Sequence, residues 1–131
     1  GRPNLVCNNV TMTKLAELIE PCDLAIIPNP QDYHQDHKNT YNLVWPLVQK
    51  LADEVWLMES YPYCLTYKER TANLYYDITH EWEFKHDLLE CYSSYLTEQE
   101  RMRICVANQW FGIVNNTDLA EAFTIVKKHV R

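Results

Sequence analysis

Residues 34–37 read His-Gln-Asp-His, two histidines three apart with an aspartate just before the second. Imidazole nitrogens and carboxylates are the usual ligands of a catalytic zinc ion, which takes three protein groups and keeps one position for water. From a single turn, His34 and His37 can both bind one ion, or one can bind while the other moves a proton. Asp36 stands where a carboxylate can fix the orientation of a neighbouring ring, as carboxylates behind metal-bound histidines commonly do. The same residues also fit a solvated loop whose histidines only cap a following helix. On the local pattern the two readings are evenly matched.

Two elements must position this loop. Asp23-Leu24-Ala25-Ile26-Ile27-Pro28 is a short, nearly continuous apolar run closed by proline. Such a run predicts a strand buried on both faces of a parallel sheet. Beyond the loop, residues 37–52 place apolar side chains at 41, 44, 45, 47, 48 and 51, a helical period. Pro46 lies inside it and is expected to kink or restart that helix. Glu54-Val55-Trp56-Leu57-Met58-Glu59 reads as the next strand. Ligands of open α/β sheets collect outside the carboxyl ends of the strands, and the histidines directly follow such an end.

The rest of the chain supplies the frame. Residues 5–9 read as a short strand, followed by a helix capped by Thr11 or Thr13 and ended by Pro21. After a loop over 61–72, residues 73–78 predict an edge strand, and a helix begins at Thr79. Thr97-Glu98-Gln99-Glu100 has the form of a capping box opening a second helix to about Asn115. Residues 118–129 predict a last helix, with Lys127, Lys128 and His129 at its negative end. This order predicts an α/β fold with parallel connections, in a single domain over 1–131.

Composition narrows the classes. The chain has 131 residues, 47% hydrophobic and 23% charged, ordinary values for a globular domain. A net charge of −6 argues against nucleic acid or an anionic membrane surface as partner. No apolar run is long enough for a membrane span. The five cysteines (Cys7, Cys22, Cys64, Cys91 and Cys105) are scattered without a CxxC pair, which predicts free, mostly buried thiols and a cytoplasmic setting. Only Gly1 and Gly112 are glycine, far below the usual share of about 7%. Since α/β enzymes spend glycines in the loops of their first half, the chain reads as the later portion of a longer one.

Other polar residues have plainer readings. His80 and His86 are six apart and do not share a helix face well, so they read as solvated, like His129. Glu59 can line a pocket or make a structural hydrogen bond. Cys64 and Cys91 read as buried thiols, and Tyr61, Tyr63, Tyr67, Tyr75 and Tyr76 as packing residues more readily than as a sugar platform.

Residues 23–42, DLAIIPNPQDYHQDHKNTYN, resemble the second signature of the PIG-L/LmbE-like N-acetylglucosaminyl deacetylases. That signature is a strand, a proline-containing turn and an aspartate-rich loop that closes in H-x-D-H and enters a helix. Glu59-Ser60-Tyr61 after a strand, the segment YYDITHEWEFKHDLLECYSSYL at 75–96 and AEAF at 120–123 are similar to later parts of the family pattern. The resemblance spans about residues 20–125. It implies a Rossmann-like, LmbE-like sheet and a divalent metal, zinc, held in part by His37. It makes His34 the general acid and oxyanion stabiliser, with Asp36 as its orienting partner. The substrate class it implies is an N-acetylglucosamine-type conjugate that loses its acetyl group.

One departure matters. The family's first signature, H-P-D-D, does not occur, and no histidine precedes His34. The resemblance therefore implies the C-terminal portion of such a domain, inactive alone or completed by an N-terminal segment or a second copy. A β-edge and an apolar face left uncovered would accompany that state. The rival readings are a catalytically inactive deacetylase-like domain that binds a sugar or a protein, and a different metal hydrolase that shares only the loop.

Overall fold

The computed structural model describes residues 5–32, 34–59 and 72–128. They fall into two compact units, one of 1–73 with 123–131 and one of 74–122. The first unit opens with α1 (Asn9–Leu18), whose N-cap Asn8 accepts the Thr11 backbone N–H through its side-chain oxygen at 2.9 Å. Asparagine is a stronger N-cap than threonine, so the helix starts ahead of both predicted caps and takes Asn9 from the predicted strand. Residues 5–9 hold no strand.

Strand β1 (Cys22–Pro28) is followed by α2 (Gln35–Leu51) and β2 (Ala52–Met58). The two strands run parallel, with Ala25 opposite Val55 and Ile27 opposite Leu57. α2 passes through Pro46 as one helix, despite the N–H that proline removes. Ile27, Val48, Ala52, Val55 and Leu57 form the core, and Ala25, Tyr41, Val44 and Trp45 pack against it. Because side chains alternate across a strand, Leu24 and Ile26 point to the opposite face, where they stay 38% and 48% exposed. The expectation of a strand buried on both faces is thus corrected: α2 covers one face of β1.

The largest correction concerns the helix expected over residues 118–129, whose described part, to residue 128, forms no helix but β4 (Ala120–Lys127). Phe123, Thr124 and Ile125 pair antiparallel with Met58, Leu57 and Trp56. Thr124, Ile125 and Val126 are β-branched, and strand pairing outweighs the helix-forming Ala-Glu-Ala before them. The sheet is therefore mixed rather than parallel throughout, with strand order β1-β2-β4-β3, where β3 is Leu74–Asp77. This is an α/β architecture compatible with a Rossmann-like arrangement. Lys127 does meet a negative helix end, that of α2: its Nζ donates to the carbonyls of Gln49 at 2.8 Å and Ala52 at 2.6 Å. Lys127→Met removes both bonds and is expected to cost about 1 kcal/mol in urea unfolding.

The second unit contains β3, a 3-10 turn at Thr79–Glu81, α3 (Trp82–Glu90), α4 (Glu98–Asn115) and the first residues of β4. Thr97 caps α4 as its sequence predicts, its Oγ1 accepting the Glu100 N–H at 3.1 Å. Lys85 Nζ meets Glu121 Oε1 at 2.7 Å, and buried Asn108 donates to the Ala120 carbonyl at 2.9 Å. Asp77 Oδ1 accepts from the Thr79 hydroxyl at 2.6 Å and the Thr79 N–H at 3.0 Å. Those two bonds, the hydroxyl first, hold the Asp77 carboxyl below its ordinary pKa. The contribution to stability is present above the ordinary carboxylate value and is lost as pH falls through the lowered one. Thr79→Ala is expected to move the Asp77 pKa upward in a carboxyl NMR titration; no movement would show the hydroxyl to be irrelevant.

Among the described residues no helix is long and apolar enough to cross a membrane. Cys7, Cys22, Cys91 and Cys105 are free thiols, but the first three are exposed rather than buried as their scatter predicts.

Candidate functional site

Pro28 ends β1 opposite Met58, the end of β2, so Asn29 and Glu59 leave the sheet at the same carboxyl edge. The turn after β1 is built on short polar side chains. Asn29 is buried, its side-chain oxygen accepting the Gln31 N–H at 2.9 Å and its carbonyl the Asp32 N–H at 3.1 Å. Such self-bonded turns are what Asn and Asp form when they precede a change of direction. Asp32 is completely buried, with 0% of its surface exposed. A carboxylate so placed needs partners, and it has two. Oδ1 accepts the His34 backbone N–H at 2.8 Å, and Oδ2 lies 2.5 Å from His37 Nδ1.

α2 begins directly after His34, which serves as its N-cap. The cap is made by the ring: His34 Nδ1 accepts the Asp36 N–H at 3.2 Å. The rings of His34 and His37 stack with centroids 4.5 Å apart and an interplanar angle of 23°. The Asp36 carboxylate accepts the Leu5 N–H at 3.4 Å, and Asn39 Nδ2 donates to the Leu5 carbonyl at 2.8 Å, tying the segment before α1 to α2.

Where both rings are neutral and Asp32 is ionised, these two contacts favour opposite tautomers. A carboxylate oxygen accepts, so His37 carries hydrogen on Nδ1 and its lone pair on Nε2. An amide N–H donates, so His34 keeps its lone pair on Nδ1 and its hydrogen on Nε2. The two stacked rings thus present opposite chemistry at the same atom. In those tautomers His37 would offer a lone pair at Nε2 and His34 an N–H.

The chain matches no protein-family model and no curated protein.

The resemblance makes Asp36 the orienting partner of His34; the contact between them runs from the Asp36 backbone N–H to the ring. At a helix N-terminus the first N–H groups point back at the cap, so the amide reaches the ring while the side chain turns to Leu5. The carboxylate behind a histidine is Asp32, and the histidine is His37. Asp32 carries a sequence signal: it stands two residues before His34 and closes the turn-forming run Asn-Pro-Gln-Asp.

Glu59 follows β2 with both carboxylate oxygens buried. His86 is 56% exposed, 3.9 Å from Asp87 and 3.8 Å from Glu90, and His80 is exposed on the 3-10 turn, as surface residues. Tyr75 packs on Phe111 with ring centroids 6.4 Å apart, and Tyr76 is exposed. Tyr61, Tyr63, Tyr67, Cys64 and His129 lie outside the described residues. Among the described residues, no group of three or more His, Cys, Asp or Glu side chains is placed to hold a metal ion. What fits a metal is one ligand with its supporting carboxylate, His37 backed by Asp32.

Proposed function

We propose that this chain carries part of the active site of a metal-dependent N-deacetylase similar to the PIG-L/LmbE-like enzymes, acting on an N-acetylglucosamine-type conjugate. The observation that supports it is a pair of stacked histidines at the carboxyl edge of the sheet whose Nδ1 atoms meet opposite partners, the Asp32 carboxylate and the Asp36 N–H. Hydrolysis of an acetamide needs a Lewis acid for the carbonyl and water, and a donor for the developing oxyanion. His37 Nε2 would hold a divalent metal, zinc by the nature of the donor, and that ion when bound would polarise the acyl oxygen and activate water. His34 Nε2–H, stacked beside it, is the donor for the oxyanion.

The cap argues for that role over general acid. A histidine that gives away a proton and stays neutral must start doubly protonated, and a proton on His34 Nδ1 would face the Asp36 N–H. His34 therefore acts as a hydrogen-bond donor, while Asp36 aims it through its backbone. The remaining metal ligands come from a second polypeptide. A cytoplasmic setting suits the free thiols.

Acetate release from N-acetylglucosaminyl conjugates tests the proposal, measured with zinc on the chain alone and with an added polypeptide bearing a His-Pro-Asp-Asp segment. The expected result is release that needs the second piece and stops when zinc is chelated. No release in either mixture, with sugar binding visible by NMR, would replace the enzyme with a sugar-binding domain.

A further inference from the structure

Asp32 holds both histidines at once, and its two oxygens are not interchangeable. We infer that Asp32 is a positioning residue that sets the tautomer of His37, keeping the lone pair on Nε2. This deepens the proposed function, resting on it only for the consequence that Nε2 faces a metal. The tautomer itself follows from the hydrogen bonds. Oδ1 is committed to the His34 backbone N–H at 2.8 Å, a donor that cannot be reversed. Oδ2 then faces His37 Nδ1 at 2.5 Å, and an ionised carboxylate can only accept there. With Asp32 fully buried, water is a poor substitute for either bond.

The side chain of nearly the same shape makes the test sharp. In Asp32→Asn the amide oxygen must stay on the His34 N–H, because an NH2 group cannot accept. The NH2 is then left facing His37 Nδ1 and donates into it. The ring must move its hydrogen to Nε2, where the lone pair had been. One atom replacement at a buried site inverts a ring that it touches only through a hydrogen bond.

Two-bond 1H–15N correlation spectra of the histidine rings, recorded where the rings are neutral, read this directly. In the unmodified chain His37 is expected to show a protonated Nδ1 and a bare Nε2, with His34 the reverse. In Asp32→Asn, His37 is expected to invert while His34 keeps its pattern. A merely structural role would disturb the backbone amide spectrum without inverting a single ring. Protonation of His37 on Nε2 in the unmodified chain overturns the inference, as does a folded Asp32→Asn protein that retains the Nδ1 proton. If the variant does not fold, the spectrum of the unmodified chain decides alone. Zinc is the separate probe: the variant is expected to bind it about 10- to 100-fold more weakly. Absence of any zinc response from the unmodified chain, with the expected tautomers present, would overturn the metal reading and leave the role of Asp32 standing.

Discussion

Gly112→Ala is expected to destabilise the unit formed by 74–122 by about 2 kcal/mol, against the usual benefit of alanine in a helix. A Cβ at Gly112 would lie 2.6 Å from the Asp118 carbonyl carbon and 2.8 Å from the Thr117 oxygen, and closer still to the Asp118 oxygen. All three are backbone atoms, so no flexible side chain can swing aside. The crowding comes from how α4 ends. Asn116 adopts φ 57° and ψ 40°, in the left-handed region, and the chain reverses over the last helical turn. The Thr117 N–H then bonds the Gly112 carbonyl at 2.8 Å. Alanine gains about 1 kcal/mol of helix propensity, while overpacking costs about 1–3 kcal/mol and more where backbone must move. Steric cost wins. Urea unfolding followed by circular dichroism measures the difference, and a neutral or stabilising result would mean that the reversal yields without strain.

That reversal also shows where a single sequence stops being readable. β1, α2 and β2 follow from local pattern, since a proline-bounded apolar run and a helical period need no knowledge of distant residues. The Thr97 cap is equally local, a hydroxyl three residues from the amide that it satisfies. Residues 120–127 are different. Ala120-Glu121-Ala122-Phe123 looks helical, yet it opens a strand that pairs through Phe123, Thr124 and Ile125 with Met58, Leu57 and Trp56, more than sixty residues earlier. The turn at Asn116 sets the direction, but propensity gives no view of the partner. The same divide runs through the site. Two histidines at a strand end are visible in the sequence, whereas the carboxylate that meets His37 depends on how 29–32 folds back on itself. Asp36 is nearer in sequence, yet Asp32 is the one in contact, because the helix start turns the Asp36 side chain away.

His37 and His34 are expected to separate cleanly when zinc affinity and hydrolysis are measured on the same variants. His37→Gln keeps an N–H donor within reach of Asp32 but loses the ring nitrogen assigned to the metal. Zinc affinity, measured by competition with a chromophoric chelator, is expected to fall by more than about 100-fold, beyond what loss of a supporting group causes. His34→Asn is the matched partner. Asparagine is among the best N-caps, so the start of α2 should survive while the Nε2–H donor disappears. Zinc affinity should then stay within about threefold, because the ring removed is not the one assigned to the metal. Acetate release in the complete system is expected to fall by about 10²- to 10³-fold, the usual effect of removing one oxyanion donor. Equal loss of zinc from both variants would make both rings ligands and defeat the assignment drawn from their partners. Unchanged zinc affinity in both would reduce the pair to a helix cap and its stacked neighbour. The two rings lie 4.5 Å apart, and their opposite hydrogen-bond partners underlie the different outcomes expected of them.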